Sequence, residues 1–148
     1  MMEETRIVQG TWDISTFKFR IEGVGLRRML ENMKEGKLVG TKCHQCGMVY
    51  LPGPFYCRKC HIEINEPAEV SDHGEIMTFT IGYADVRGNP LEEPRIAPVV
   101  KMDGCDSWIM GVLQGVKPEE VHVGMRVKVQ WAENLTGSLQ DMQYFVPE

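Results

Sequence analysis

Four of the five cysteines form two C-x-x-C pairs, Cys43-His-Gln-Cys46 and Cys57-Arg-Lys-Cys60, separated by ten residues. In each pair a tight turn presents two sulfurs to one ion while backbone N–H groups point at the thiolates. Four thiolates close a tetrahedron, the arrangement of structural zinc sites, whereas catalytic zinc keeps one position open for water. The expected ligand set is therefore Cys43, Cys46, Cys57 and Cys60. The expected ion is Zn²⁺, and it supplies folding energy to a unit of about 30 residues that lacks a core of its own. His44 and His61 adjoin the pairs, but four sulfurs complete the set without them.

Iron is the alternative metal, since soft sulfur accepts either ion and the first knuckle with its trailing Tyr50 is rubredoxin-like; that reading makes the chain an electron carrier. The fifth cysteine, Cys105, lies in Met102-Asp-Gly-Cys-Asp-Ser107, which reads as a hairpin turn. Acids on both sides disfavour a thiolate there, and neither His73 nor His122 has a local arrangement that marks it as a base. Dinucleotide and Walker loops, a nucleophile elbow and HExxH do not occur. The chain is expected to be no enzyme by itself.

Charge narrows the partners. Residues 1–66 carry ten Lys/Arg and eight Asp/Glu, net +2, and residues 67–148 carry six and thirteen, net −7. A −7 module is poorly suited to polyphosphate, whose binding draws on Lys/Arg neutralisation and counterion release. A single-stranded nucleic-acid module remains the second functional reading, with Phe79, Tyr83, Trp108 and Trp131 as a stacking platform. Barrel core is the simpler role for those aromatics. No apolar run approaches the roughly 20 residues of a membrane span, and the acidic Met-Met-Glu-Glu-Thr start has no apolar region behind it. A cytoplasmic protein without membrane contact is expected.

The elements that must position the cysteines follow from periodicity. Residues 1–16 are apolar in places without a period, and Phe17-Lys-Phe-Arg-Ile21 alternates as a half-buried strand, an apolar arm that must dock on its own core or on a partner. Leu26, Met29, Leu30 and Met33 then recur at helical spacing, predicting one short amphipathic helix that ends at Gly36. Val39–Lys42 and Met48–Leu51 flank the first knuckle as a hairpin with Gly47 at its tip. Asn65-Glu-Pro67 reads as a linker. Beyond it, strand-like runs at Gly74–Tyr83, Ile96–Met102, Trp108–Leu113, Val123–Trp131 and Met142–Val146 predict a small closed or nearly closed barrel. The turn-rich loop Asp85–Pro94 and one helical turn at Lys117–Val121 separate them. The fold class is mainly β, divided as arm and helix (1–36), cysteine unit (37–66) and barrel (67–148).

The helix, Glu35-Gly-Lys-Leu-Val-Gly-Thr-Lys-Cys-His-Gln-Cys-Gly-Met-Val-Tyr-Leu-Pro52, Cys57-x-x-Cys60, Gly74–Thr80 and Val123–Val129 together resemble one known family. It is the OB-fold family with an N-terminal rubredoxin-like zinc ribbon whose members accompany thiolase-superfamily enzymes. The resemblance covers roughly residues 25–146 and leaves residues 1–24 outside. It implies a five-stranded OB barrel and a non-catalytic accessory subunit in a hetero-oligomer with a thiolase-like enzyme. The partner would supply the reactive groups, while this chain shapes or bridges its acyl-CoA site. Lys34, Lys37, Lys42, Arg58 and Lys59 around the ribbon are then candidate contacts for coenzyme A phosphates or for an acidic face of the partner; otherwise they are solvated charges.

Overall fold

A computed structural model describes residues 23–148, so the strand expected at Phe17–Ile21 and its arm lie outside the described residues. Helix α1 (Val24–Met33) forms where the sequence has helical periodicity and buries Gly25, Met29 and Met33. Strands β1 (Leu38–Lys42), β2 (Val49–Tyr50) and β3 (Glu66–Val70) make an antiparallel sheet in the order β2-β1-β3. The stretch read as a linker is thus the beginning of β3, which pairs with β1 from Leu38↔Val70 to Lys42↔Glu66. Pro67 is tolerated because β3 is an edge strand, where one side of the backbone needs no ladder partner.

The barrel strands are β4 (His73–Ala84), β5 (Pro90–Met102), β6 (Trp108–Met110), β7 (Arg126–Trp131) and β8 (Met142–Pro147), ordered β6-β5-β4-β7-β8. Leu113 closes the circuit, bridging antiparallel to Ile96 and parallel to Phe145. The expected five-stranded barrel is present. Its β4–β5 hairpin is longer and its loop shorter than the prolines suggested, because β5 begins at Pro90. Around Pro90 and Pro94 the pairing with β4 is interrupted between Gly82 and Ala84, and β6 reaches only Val99–Lys101, so these prolines forfeit little hydrogen bonding. Lys117–Val121 is a hydrogen-bonded turn rather than a helix.

One core runs through both sheets. Met29, Met33, Leu38, Leu51 and Val70 pack in the same cluster as Ile76, Val100, Met102, Val127 and Phe145. The cysteine unit has only a small cluster of its own, built from Cys43, Tyr50, Cys57 and Ile64. Two glycines allow the helix to sit on it. A Cβ at Gly25 would fall 2.1 Å from the Gly53 carbonyl oxygen, and one at Gly53 would fall 1.9 Å from Thr41 Oγ1. Arg28 then pins α1 down, donating from Nη1 to Thr41 Oγ1 at 3.2 Å and from Nη2 to the Asn65 carbonyl at 2.8 Å.

The aromatics divide. Phe79 and Trp131 pack against the core, and Trp131 Nε1 donates to Asp72 at 3.2 Å. Tyr83 and Trp108 are not core: they are 62% and 54% exposed. Tyr83 lies near the tip of the β4–β5 hairpin and Trp108 faces outward from edge strand β6.

Candidate metal centre

The two knuckles have the same backbone wiring. Cys43 N–H donates to the Met48 carbonyl at 2.8 Å and Gly47 N–H to the Cys43 carbonyl at 2.8 Å. Fourteen positions on, Cys57 N–H donates to Ile62 at 2.9 Å and His61 N–H to Cys57 at 2.9 Å. Each turn requires a left-handed residue just after its second cysteine. Gly47 fills that place at φ +78° and His61 at φ +57°. His61 is therefore the turn residue of the second knuckle, exposed to solvent like His44.

This wiring gathers the ligand atoms of Cys43, Cys46, Cys57 and Cys60 to within 4.8 Å of one another, with Cys43 and Cys57 buried. A tetrahedron with Zn–S bonds of about 2.3 Å has S···S edges of about 3.8 Å. The Cys46 and Cys57 sulfurs are 3.6 Å apart, close to such an edge, so the four cysteines could hold one metal ion. The Tyr50 hydroxyl lies 3.3 Å from Cys57 Sγ and the Cys60 N–H donates to the same sulfur at 3.4 Å. The Tyr50 hydrogen bond brings Cys57 down to about 6, while Tyr50 itself is pushed up to about 12 by that contact. Burial pushes Cys60 up to about 12. Clustered thiols thus resist ionising together until a cation compensates them, and a bound ion would hold all four as thiolates.

Cys105 is no nucleophile in waiting. It is buried where the barrel meets the cysteine unit, its sulfur 3.6 Å from the Val49 carbonyl and 3.3 Å from Ser107 Oγ. Its neighbours form a brace that local spacing did not announce. Asp106 N–H donates to Val49 O at 2.8 Å, and Asp106 Oδ2 accepts from Val49 N–H at 2.9 Å. Ser107 Oγ accepts from Leu51 N–H at 2.7 Å and donates to Leu51 O at 3.1 Å. The Met102–Ser107 turn therefore clamps the outer edge of β2, which carries the chain into Tyr50 and its thiolate contact.

The five candidate cations are not gathered at one place. Arg58 lines a cavity of about 740 Å³ with Tyr50, Pro52, Asp106 and Trp108. Lys37 pairs with Glu35 at 3.1 Å, which raises the lysine above its ordinary value. Lys34 lies along Gly137, Lys42 is half-buried on β1, and Lys59 is exposed on the second knuckle. His73 Nδ1 is 3.1 Å from Glu148 Oε1, and Nδ1 of His122 is 3.0 Å from the Glu120 carbonyl. Neither histidine faces a cysteine or a cavity wall among those described.

Comparison with known proteins agrees with this architecture. Residues 68–132 match the family described as the C-terminal OB-fold domain of ChsH2. A DUF35 domain-containing scaffold protein of Methanocaldococcus jannaschii is 27% identical over 92 residues, covering 62% of this chain and 64% of the relative. The match therefore spans less than two thirds of that relative's length. A solved Sulfolobus solfataricus protein of the DUF35 family, of unknown function, is similar with a TM-score of 0.65 at 23% identity, covering 82% of this chain and 83% of its own. A chain of the Ltp2–ChsH2(DUF35) aldolase is similar with a TM-score of 0.61 at 18% identity, covering 88% and 98%. At those identities the two structures report the fold alone. The barrel segment 68–132 is thus similar to the OB-fold family of the ChsH2 C-terminal domain.

Proposed function

We propose that the chain is a non-catalytic scaffold subunit of a thiolase-type acyl-CoA enzyme, with Zn²⁺ held by Cys43, Cys46, Cys57 and Cys60. The observation that carries this reading is the closed thiolate cage. Four sulfurs satisfy the ion and leave no position for substrate or water. The remaining thiol, Cys105, is consumed in packing. Support for a scaffold comes from the M. jannaschii relative, described as a scaffold protein, and support for an enzyme partner from the aldolase that contains a ChsH2(DUF35) chain.

Within this reading residues 1–36 provide docking surface, 37–66 the metal clasp and 67–148 the barrel. Arg58, supported by its cavity, is the first choice to meet a coenzyme A phosphate or a partner acid, with Lys34, Lys37, Lys42 and Lys59 as further contacts. The acyl-CoA binds through the partner, in the cytoplasm. The −7 barrel argues against the nucleic-acid reading, and no helix of the described residues is long and apolar enough to cross a membrane. Within the family that the sequence resembles, the small subunit of a benzoylsuccinyl-CoA thiolase is similar in size, which makes benzoylsuccinyl-CoA one acyl substrate to test with the partner. Co-expression with a thiolase-type enzyme tests the assembly. Native mass spectrometry should find a hetero-oligomer with one zinc per copy of this chain. A red, iron-bearing protein that stays alone would contradict it.

A further inference from the structure

The barrel is not closed along its whole height. Near Leu113 the segment after β6 is zipped to β8: Phe145 N–H donates to the Val112 carbonyl at 2.7 Å and Gln114 N–H to the Phe145 carbonyl at 2.9 Å. Toward Trp108 that pairing stops, and among the described residues β6 is paired with β5 only. Between β6 and β8 the seam opens into a groove of about 550 Å³ whose floor includes Leu26 and Met29 of α1.

The composition of this groove is unlike the rest of the chain. Among the described residues, none of the fourteen that line it is Asp, Glu, Lys, Arg or His, whereas a quarter of the sequence is Asp, Glu, Lys or Arg. Trp108, Met110 and Leu139 on its walls are 54%, 80% and 57% exposed. Aromatic and methionine side chains without charge are the make-up of interface centres. An edge strand bearing them, with no lysine, proline or bulge to block pairing, is a template for another strand. At the Arg58 end the groove shares Leu26, Leu51, Pro52 and Trp108 with the second cavity.

We infer that this seam receives an extended apolar segment of the partner enzyme, uncharged where it pairs with β6 and flanked by an acidic residue that reaches Arg58. The inference rests on the proposed scaffold function and adds the surface and the chemistry of contact. Charge selects this occupant. Among the described residues the groove offers no counter-charge to a charged segment, Arg58 in the adjoining cavity favours an acid since the Asp106 carboxylate there already accepts from Val49 N–H, and a second copy of this chain would bring −5 against −5.

The test uses the full chain and the thiolase-type enzyme of the co-expression experiment. Trp108→Glu and Met110→Glu are compared with wild type for dissociation constant, with zinc content and circular dichroism verifying the fold. Both variants should keep one zinc and wild-type ellipticity while binding 10- to 100-fold more weakly; Arg58→Glu should weaken binding and Arg58→Lys should largely preserve it. Wild-type affinity in both groove variants overturns the inference while leaving the scaffold function standing. So does a variant that changes only self-association of the isolated chain. With Trp12→Phe and Trp131→Phe leaving Trp108 as the sole tryptophan, an emission shift on removing residues 1–22 from the isolated chain assigns the groove to the chain's own arm and also overturns it. If wild type binds no such enzyme, the scaffold reading fails and this inference with it.

Discussion

Tyr50 is the residue through which the barrel's brace reaches the metal. Its hydroxyl meets Cys57 Sγ, its ring is buried, and its strand edge is held by Asp106 and Ser107 next door. Outer hydrogen bonds of this kind tune ligand basicity, so Tyr50→Phe should weaken zinc affinity by about 10-fold. Competition with a chromophoric chelator measures this, and an unchanged affinity would mean that the hydroxyl is only packing. His61 carries the opposite lesson. A β-carbon in the left-handed region costs about 1–2 kcal/mol, partly offset by glycine's extra chain entropy. His61→Gly should therefore keep one zinc and gain about 0.5–1 kcal/mol in denaturant unfolding. Loss of zinc in that variant would instead make His61 a ligand. The turn role is visible once the two knuckles are superposed, C-x-x-C-Gly on C-x-x-C-His, whereas ligand counting alone only excludes His61 from the metal set.

At the scale of elements, the turn between β7 and β8 depends on one buried carboxylate. Burial disfavours the charged form of Asp141, but N–H groups of Thr136, Gly137 and Ser138 and the Thr136 hydroxyl donate to it and hold its pKa below the ordinary value. A depressed carboxylate contributes stability that is present above its unfolded value, about 3.9, and is lost as pH falls through the lower folded value. Asp141→Asn should cost about 2 kcal/mol near neutrality, since amide hydrogens would face those donors. The gap between variant and wild type should narrow as pH drops below about 4. A gap independent of pH would show that charge is not the cause. The helix, the knuckle hairpin and all five barrel strands were legible because each announces itself by period or spacing. Strand β3 was not, since Glu66-Pro67 looks like a break and becomes a strand only beside β1. Asp106 and Ser107 were equally silent, for their partners lie 57 and 56 residues away. Trp108 reads as core by pattern and is exposed because the seam beside it opens.

For the whole molecule, the shared core makes the cysteine unit and barrel one mechanical body, with the metal cage at one end and the uncharged seam beside α1. The central claim is that this chain is required by a thiolase-type enzyme while doing no chemistry itself. Reconstitution measures it directly: acyl-CoA carbon–carbon bond cleavage by the enzyme alone, by this chain alone, and by the two together. The account predicts activity only in the mixture, lost again when Cys43 and Cys57 are changed to serine. Full activity of the enzyme without this chain, or turnover by this chain alone, would contradict it.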